Sequence, residues 1–579
     1  MLINKKDDFL VILRKLEKTN SPVIFDLETT GLFPFSGDML CGVGMKIDGQ
    51  GFYMPFRHVI SQLNLFCDHK QLKTSLIVLL SDFFSDSKKT IVGHNIKFDI
   101  LFMEKEGIVI KNKIIDTMYM AHLIDENASS FQLEKLAGDS SEKMRIKNII
   151  RKRRLKSYAE ISPEEMHDYA LKDLDLTDLL FKKFNKESKD FSEFNDLLKF
   201  DMSFCSVLKE IEKIGFFINK KELKEQLIKT KKAEKQIYEK LVDLAGKDFN
   251  PASTIQVLDI LSKKFGINTK TTNKVFLEQQ RNPFCKSLMK YRAIRNRRTD
   301  FLEVYERFLT KDSTVHTSFG TNLSSFTKTG RLRSSNPNMQ NLPVFNVGKE
   351  GEINIKKLIQ SRPNFLFLCC DYSQAELRIA AHFAGEEAMI EQFINKEDIH
   401  MLTAERVLGK RDKESRQMAK RINFAMIYGV GAKGLAEYLE LPFEEAYEVL
   451  QSFHRSFPSF RRLQKRAEEV QRRRGYIRYF TGRRRRNVED PHKAMNSLIQ
   501  GTVAEIMKIK MIELYNKLNK HDTRIMHQIH DSLIFEIRKE EMFLIPSIVQ
   551  CLETSPFPCK VPMVVESHIG PDLSNLKEV

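Results

Sequence analysis

The chain has 579 residues, 42% hydrophobic and 30% charged, with 94 Lys+Arg against 77 Asp+Glu for a formal net charge of +17. At roughly 100–200 residues per domain, that length predicts about three to five domains or subdomains, and the composition excludes a disordered tail, a collagen and a disulfide scaffold. No apolar run reaches the ~18 residues of a membrane-spanning helix. The opening MLINKKDDFLVILRK has a short apolar patch and no small-residue cleavage site, so no signal peptide is expected. The eight cysteines form no CxxC pair; such usage fits reduced, buried thiols of a cytosol. Excess positive charge suggests a polyanionic partner, because each neutralised phosphate releases condensed counterions. The cations are clustered at Arg151 to Arg154, Arg295 to Arg298, Arg472 to Arg474 and Arg483 to Arg486, and although any one of these could equally be a solvated face, the set of four points toward it.

Residues 1 to about 190 read as alternating strands and helices, an α/β domain. SPVIFDLETTGL and KKTIVGHNIKFDI look like strands running into turns, and residues 160–185 like a helix. Asp26 and Glu28, two apart on a strand, share a face. Asp99 follows a Gly-His-Asn turn, and Tyr169 and Asp173, four apart on a helix, are surface neighbours. Any one of these acids could simply be solvated. Four that converge would repel unless divalent cations neutralise them. Two Mg²⁺ ions roughly 3.5–4 Å apart are the usual solution for phosphodiester hydrolysis, with Tyr169 placed to orient the water.

From 191 to about 315 the chain turns helical and Lys-rich, and a larger α+β domain begins. TSFGTNLSSFTKTGRLRSSNPNMQNLP follows, too polar for a core. FLFLCCD then reads as a short strand ending in Asp371, residues 386–475 as mostly helical, and RIMHQIHDSLIFEI as two strands with His530 and Asp531 at the bend. In ESRQMAKRINFAMIYGV, Arg416, Lys420, Phe424 and Tyr428 recur every four residues, a stripe about 18 Å long at ~1.5 Å per residue. Alone it could be an amphipathic core helix. Equally, two cations followed by two rings fit the phosphates, sugar and base of a nucleoside triphosphate. Asp371 and Asp531, if the fold pairs their strands, could hold two Mg²⁺ bridging phosphates and a 3′ hydroxyl. Gly429-x-Gly431-x-x-Gly434 formally matches a dinucleotide fingerprint but follows a helix and lacks a βαβ unit, so a turn is expected. The sequence holds no Walker A motif, which argues against an ATP-driven motor.

Asp26-x-Glu28-Thr29-Thr30-Gly31-Leu32, Asn95-x3-Asp99 and Tyr169-x3-Asp173 resemble the three motifs of DEDDy 3′–5′ exonucleases. The resemblance implies that Asp26, Glu28, Asp99 and Asp173 hold metals, that Tyr169 aligns the nucleophile, and that Leu32 and Asn95 touch the terminal nucleotide. Asp371-Tyr-Ser-Gln374-Ala-Glu376-Leu-Arg, Arg416-x3-Lys420-x7-Tyr428-Gly429 and His530-Asp531 resemble motifs A, B and C of family A DNA polymerases. Thr329-Gly330-Arg331-Leu332, Asn338-x-Gln340-Asn341 and Gln500-Gly501-Thr502 match further primer- and template-contacting motifs.

Together these motifs imply an RNase H-like exonuclease domain over residues 1–190 and a right-hand polymerase domain over 191–579. The implied thumb is about 200–315, the palm about 316–385 and 490–579, and the fingers about 386–489. The layout is of large-fragment type, with no 5′-nuclease domain expected ahead of it. The implied cofactor is Mg²⁺, two ions per site with Mn²⁺ as a substitute. The implied partners are primer-template DNA and dNTPs, bound by a monomer off the membrane, in the cytoplasm of a bacterium or virus-infected host, or in an organelle if excised from a precursor.

By resemblance, Asp371 and Asp531 carry the polymerase metals, and Arg416, Lys420, His400 and Gln374 bind the nucleotide, with Lys420 an acid for the leaving pyrophosphate. Glu376 crowds a ribose 2′-OH, Phe424 presses on the sugar, and Tyr428 closes over the nascent pair. Arg331 and Gln500 read minor-groove acceptors. Gln340, Asn341, Asn496, Gln528 and His530 contact or steady template, primer and the motif C turn. Asn250-Pro251-Ala252-Ser253 and Tyr291-Arg292 fall where the family's thumb has such residues. Four positions depart from the pattern. Ser532 stands where Glu is usual, His492 where Arg is usual (with Lys493 beside it), Ala375 where a larger aliphatic is usual, and Arg333 where a small residue is usual. Ala375 predicts a roomier nucleotide pocket. The alternatives are an exonuclease with an inactive, DNA-holding polymerase domain, and a non-enzymatic basic scaffold.

Overall fold

A computed structural model describes residues 1–3, 5–58, 80–320, 327–342, 354–488 and 493–579. The expectations at His492 and over part of the polar stretch, residues 321–326, lie outside them.

Strand β1 (Val23–Thr29) is the centre of the first sheet, flanked by β2 (Leu40–Ile47), β3 (Gln50–Pro55), β4 (Thr90–Gly93) and β5 (Lys113–Asp116) in the order β3-β2-β1-β4-β5. The β1–β2–β3 meander is antiparallel, whereas β4 and β5 run parallel to β1. The helices of this part include α1 (Ile96–Lys105), α2 (Thr117–Ile124) and α3 (Pro163–Glu187). Serine at the N-cap and proline at the first helical position start α3, with Ser162 Oγ accepting from the Glu165 amide at 3.3 Å. Helix α3 packs across β1, β2 and β3 and so carries its polar face over the acids of β1. The helix expected over 160–185 is thus present.

Beyond α4 (Phe194–Ile214) comes a helical region that includes α5 (Lys220–Ala245) and α6 (Pro283–Arg297). A second five-stranded sheet follows, built from β6 (Phe365–Tyr372), β7 (Arg524–Ile529), β8 (Ser532–Arg538), β9 (Val565–Gly570) and β10 (Lys577–Glu578) in the order β7-β8-β6-β9-β10. Helices α7 (Ala375–Ala384), α8 (Ile399–Leu408), α9 (Lys413–Ile427) and α10 (Ala494–Leu518) share its largest core, which runs from Leu368 and Ile379 through Ile422 to Ile499 and Phe535. The expected strand at FLFLCCD and the expected hairpin at His530-Asp531 are both present. Ile529 pairs with Ser532, leaving His530 (φ 56) and Asp531 as a two-residue turn. Gly429 lies in a turn, as expected, whereas Gly434 falls within a short helix, Ala432–Leu439.

One expectation is overturned. The Arg483–Arg486 cluster does not present its charge to a polyanion; it ties the two halves together. Arg483 clamps Asp201 of α4 through two bonds of 2.6 and 3.1 Å and reaches Glu505 of α10 at 3.0 Å, all three being buried. Arg485 and Arg486 hold Glu126 beyond α2 at 3.1 and 2.9 Å, and Arg484 lies 4.1 Å over the Phe191 ring. Buried acids attract arginines whose planar forks satisfy several acceptors at once. A sequence count of like charges cannot see acids that are distant along the chain. In the other clusters, Arg153 is paired with Glu165 and Arg298 with Glu234 and Glu303, whereas Arg473 and Arg474 are exposed.

Candidate active sites

In the first half, strand alternation points Asp26 and Glu28 to one face of β1, and α3 lays Asp173 over it. Ligand oxygens of these three carboxylates lie within 4.8 Å of one another. Asp99, in the first turn of α1, is buried and electrostatically coupled to Asp26 and Glu28. Burial and mutual repulsion push Asp26, Glu28 and Asp99 well above the usual carboxylate range. Burial raises Asp173 to about 6, against the hydrogen bond it accepts from Tyr169. Glu28 Oε1 is buried without a hydrogen-bond partner. Oxygen-only donors, an orphaned carboxylate oxygen and acids held up by repulsion suit hard divalent cations.

Two residues that sequence reading passed over support this cluster. Asp116 caps the turn, its carboxylate accepting from the Asn95 and Ile96 amides at 2.9 Å each and from Met118 at 2.8 Å. That fixes the left-handed Asn95 (φ 63) and aims Asp99. Lys143, bound to Glu134 at 2.7 Å, lowers Asp26, Glu28 and Asp173 but does not offset their burial. The signal for Asp116 was an acid immediately before an apolar helix. Lys143 sits in a charged helix that reads as ordinary surface. Leu32 and Asn95 line a cavity of about 150 Å³ that Phe308 and His316 close from the other half, with Phe35 stacked on His316 at 4.3 Å between ring centroids.

In the second half a cavity of about 650 Å³ brings together Asp371, Asp531, Gln374, Glu376, His400, Arg416, Lys420, Phe424, Tyr428, Arg331, Gln528 and His530. The four-residue stripe of α9 holds as drawn from the sequence. Asp412 caps the helix, accepting from the Glu414 and Ser415 amides at 3.0 and 2.9 Å, and Tyr428 closes its C-terminus. Burial and the charges of Asp531 and Glu566 raise Asp371 to about 6. Arg416 pairs with Asp398, and Arg331 pairs with Glu376. Burial and the nearby Arg416 and Lys420 lower His400 to about 4, so it is neutral near pH 7. Gln374 takes a left-handed backbone (φ 56), and its Oε1 is buried and unpartnered.

Gln340, Asn341, Asn496 and Gln500 are not among the residues lining this cavity. Gln340 acts at one remove: it donates to Gln528 Oε1 at 3.0 Å, and Gln528 in turn donates to the His530 carbonyl. Asn341 is exposed, whereas Gln500 is buried on α10 beside Gly501, where an added Cβ would lie 1.9 Å from the Tyr479 ring. Three residues were missed. Asn423, wholly buried, bonds His400 Nδ1 at 3.0 Å and Thr403 at 3.0 Å, which leaves His400 Nε2 as the ring's proton carrier. Lys508 enters the cavity beside Gly330 and bonds Glu505 at 2.9 Å. Glu566 pairs across the sheet with Asp371. A polar residue on the buried face of α9 was the available signal for Asn423; for Glu566, in a strand without a motif, there was none.

Residues 220–575 match the family model for DNA polymerase family A, and residues 2–189 that for a 3′-5′ exonuclease. DNA polymerase I of Borreliella burgdorferi is 29% identical over 97% of this chain and 63% of its own length. DNA polymerase I of Chloroflexus aurantiacus is 28% identical over 96% of this chain and 61% of its own length. The chain therefore spans less than two thirds of the length of these curated relatives. Among solved structures, the POL domain of Pol1 from M. smegmatis, in complex with DNA primer-template and dNTP, has the same fold, with a TM-score of 0.81 at 21% identity over 99% of both chains.

Proposed function

Since the chain belongs to DNA polymerase family A, we propose that it is a template-directed DNA polymerase that adds dNTPs to a primer 3′ end and removes mispaired ends with a 3′–5′ exonuclease. The single observation that carries this reading is the second cavity, where paired acids on a sheet face a helix bearing cations and then rings. Thumb, palm and fingers are assigned to the ranges expected from sequence, and Mg²⁺ is the proposed ion at both centres, with Mn²⁺ as a substitute. Divalent ions bound there would activate the attacking oxygen and offset charge on the leaving one.

The chain's own residues supply the rest. Asp371 and Asp531 hold their oxygens toward the reacting phosphate, and the sheet fixes their separation. Lys420 faces the cavity without a partner among the described residues and is placed to give a proton to the departing pyrophosphate. Arg416 must exchange Asp398 for the triphosphate, and Arg331 must leave Glu376 to read the primer end, so each cation is held by a carboxylate until substrate arrives. His400, oriented by Asn423, presents Nε2–H to a phosphate oxygen. Phe424 and Tyr428 offer faces for sugar and base. In the exonuclease centre, Tyr169 hydrogen-bonds Asp173 and so stands beside the cluster where the attacking water would lie. The terminal base would rest against Leu32 in the cavity shared with Phe308 and His316.

A 5′-labelled primer on a longer template, with Mg²⁺ and with or without dNTPs, tests both activities. Extension with dNTPs and shortening without them are expected. Asp371→Ala should abolish extension and spare shortening, and Asp26→Ala with Glu28→Ala should do the reverse. Shortening without extension under all dNTP and metal conditions would leave an exonuclease on a DNA-holding frame.

A further inference from the structure

The polymerase centre lacks the acid that usually follows the motif C aspartate, because Ser532 stands there. Strand register shows where a replacement lies. Asp371 on β6 is paired with Ser532 of β8 on one side and with Glu566 of β9 on the other. Residues directly opposite in antiparallel strands project to the same face, with Cβ atoms roughly 4.5–5.5 Å apart. The row across the three strands is therefore Ser532–Asp371–Glu566, all on the cavity side, and Glu566 itself lines the cavity.

We propose that Glu566 is a third metal-facing carboxylate of the polymerase centre, supplying from the β9 side the charge that Ser532 does not supply from the β8 side. The inference rests on the polymerase reading above and deepens it.

The charges in the cavity point the same way. Its cations are mostly committed elsewhere: Arg331 to Glu376, Arg416 to Asp398 and Lys508 to Glu505. Asp371, Asp531 and Glu566 have no ion pair among the described residues, and Glu566 is exposed to the cavity rather than folded onto a neighbour. Among the described residues, Lys420 is the uncommitted cation facing this space, and one positive charge against three acids leaves repulsion that a mobile cation would offset. A separate feature also marks the cavity as built for a ligand. Glu376 is 9% exposed, with its Oε2 buried and unpartnered, and Gln374 Oε1 is in the same condition. Both residues line the same space.

The test begins by silencing the exonuclease centre with Asp26→Ala and Glu28→Ala, so that Mn²⁺ binding followed by electron paramagnetic resonance reports the polymerase centre. Adding Glu566→Gln is expected to weaken Mn²⁺ binding on the order of tenfold, the scale for removing one partner from a metal site. It should raise the Mg²⁺ concentration for half-maximal extension by a similar factor. Ser532→Glu in the Glu566→Gln protein should restore much of both, because it returns a carboxylate to the same row. If Glu566→Gln does not fold, Glu566→Asp, which keeps the charge but draws it back, should give a smaller weakening. An unchanged Mn²⁺ isotherm and unchanged Mg²⁺ dependence overturn the inference while extension by the parent protein upholds the polymerase reading. Weakened Mn²⁺ binding in a protein that never extends a primer does the opposite: Glu566 faces metal, and the polymerase reading fails.

Discussion

Replacing Arg483 by Met separates two roles for the basic cluster at 483–486. Arg483, Asp201, Glu505 and Lys508 form a neutral tetrad in which every side chain is nearly or wholly buried. Removing the guanidinium leaves Asp201 with no counter-charge and Glu505 with Lys508 alone. Breaking a buried pair from one side costs about 3–5 kcal/mol, since the remaining charge stays desolvated. For a folding unit of this size, at ~2.1 cal/mol/K of unfolding entropy per residue, that is a fall in unfolding temperature of about 3–6 °C. Adding Asp201→Leu should recover much of the loss, because replacing both partners with apolar groups removes the stranded charge. DNA affinity supplies the second readout. A phosphate contact contributes a slope of about −0.9 to log K against log salt, so a DNA-facing Arg483 would flatten that slope by about one. The expected result is a drop of a few degrees in unfolding temperature, read by circular dichroism, with the salt slope unchanged. A flattened slope with an unaltered unfolding temperature would refute the structural assignment and return the cluster to DNA. The tetrad also has a pH signature. Burial raises Glu505, but Arg483 and Lys508 outweigh it and hold the group at about 2, below its ordinary 4.5. Its contribution is therefore complete above about pH 4.5 and is lost as pH falls toward 2, and Arg483→Met should shrink that part of the acid transition to the share Lys508 sustains.

His400, lowered to about 4 in the free protein, should gain a proton as a triphosphate settles beside it. Apparent dNTP affinity should then rise as pH falls from 8 toward 5, and His400→Asn should remove that slope relative to the parent, measured as KM across pH. Asn423→Ala strands His400 Nδ1 in a buried site, while Thr403 keeps its bond to the Ile399 carbonyl; the change costs about 1–3 kcal/mol and should raise KM for dNTP more than it lowers kcat. Asp116→Asn puts an amide where three backbone amides donate. It should depress 3′ shortening by an order of magnitude or so while leaving primer extension intact, read on the same gel; equal loss of both would show that the turn has a wider structural role. Ala375→Ile fills space beside Glu376 at the cavity wall and should lower misincorporation and RNA-templated synthesis; no change in either would dispose of the roomier-pocket idea.

What the sequence disclosed follows the reach of local periodicity. A two-residue repeat placed Asp26 and Glu28 on one face, a four-residue repeat placed Tyr169 beside Asp173 and drew the α9 stripe, and a turn between two strands placed Asp531. Each depends only on neighbours along the chain. The helix and strand expectations around them hold for the same reason. The parts that stayed hidden are those set by partners far apart in sequence. Arg483 and Asp201 are neighbours only because α4 lies against α10, and Arg485 meets Glu126 across more than half the chain. Charge density along the chain suggested a solvent-facing, DNA-binding surface where the fold makes a buried clamp between halves.

Glu566 shows the same limit inside the active site. Nothing in VVESHIG announces chemistry, since a lone acid in an alternating strand is ordinarily solvated. It becomes informative only through register, because β9 pairs with β6 so that Asp371 meets Glu566 rather than Val565 or Ser567. A slip of one residue would turn the carboxylate to the opposite face of the sheet and place a neighbour in the cavity. The departure at Ser532 was legible as a missing charge, but whether the centre is short of an acid could not be decided on β8 alone. The sheet adds a third strand to the comparison, and with it Glu566. The acidic row of this centre is a property of β8, β6 and β9 together, and a substitution at any one of them should be judged against the charge carried by the other two.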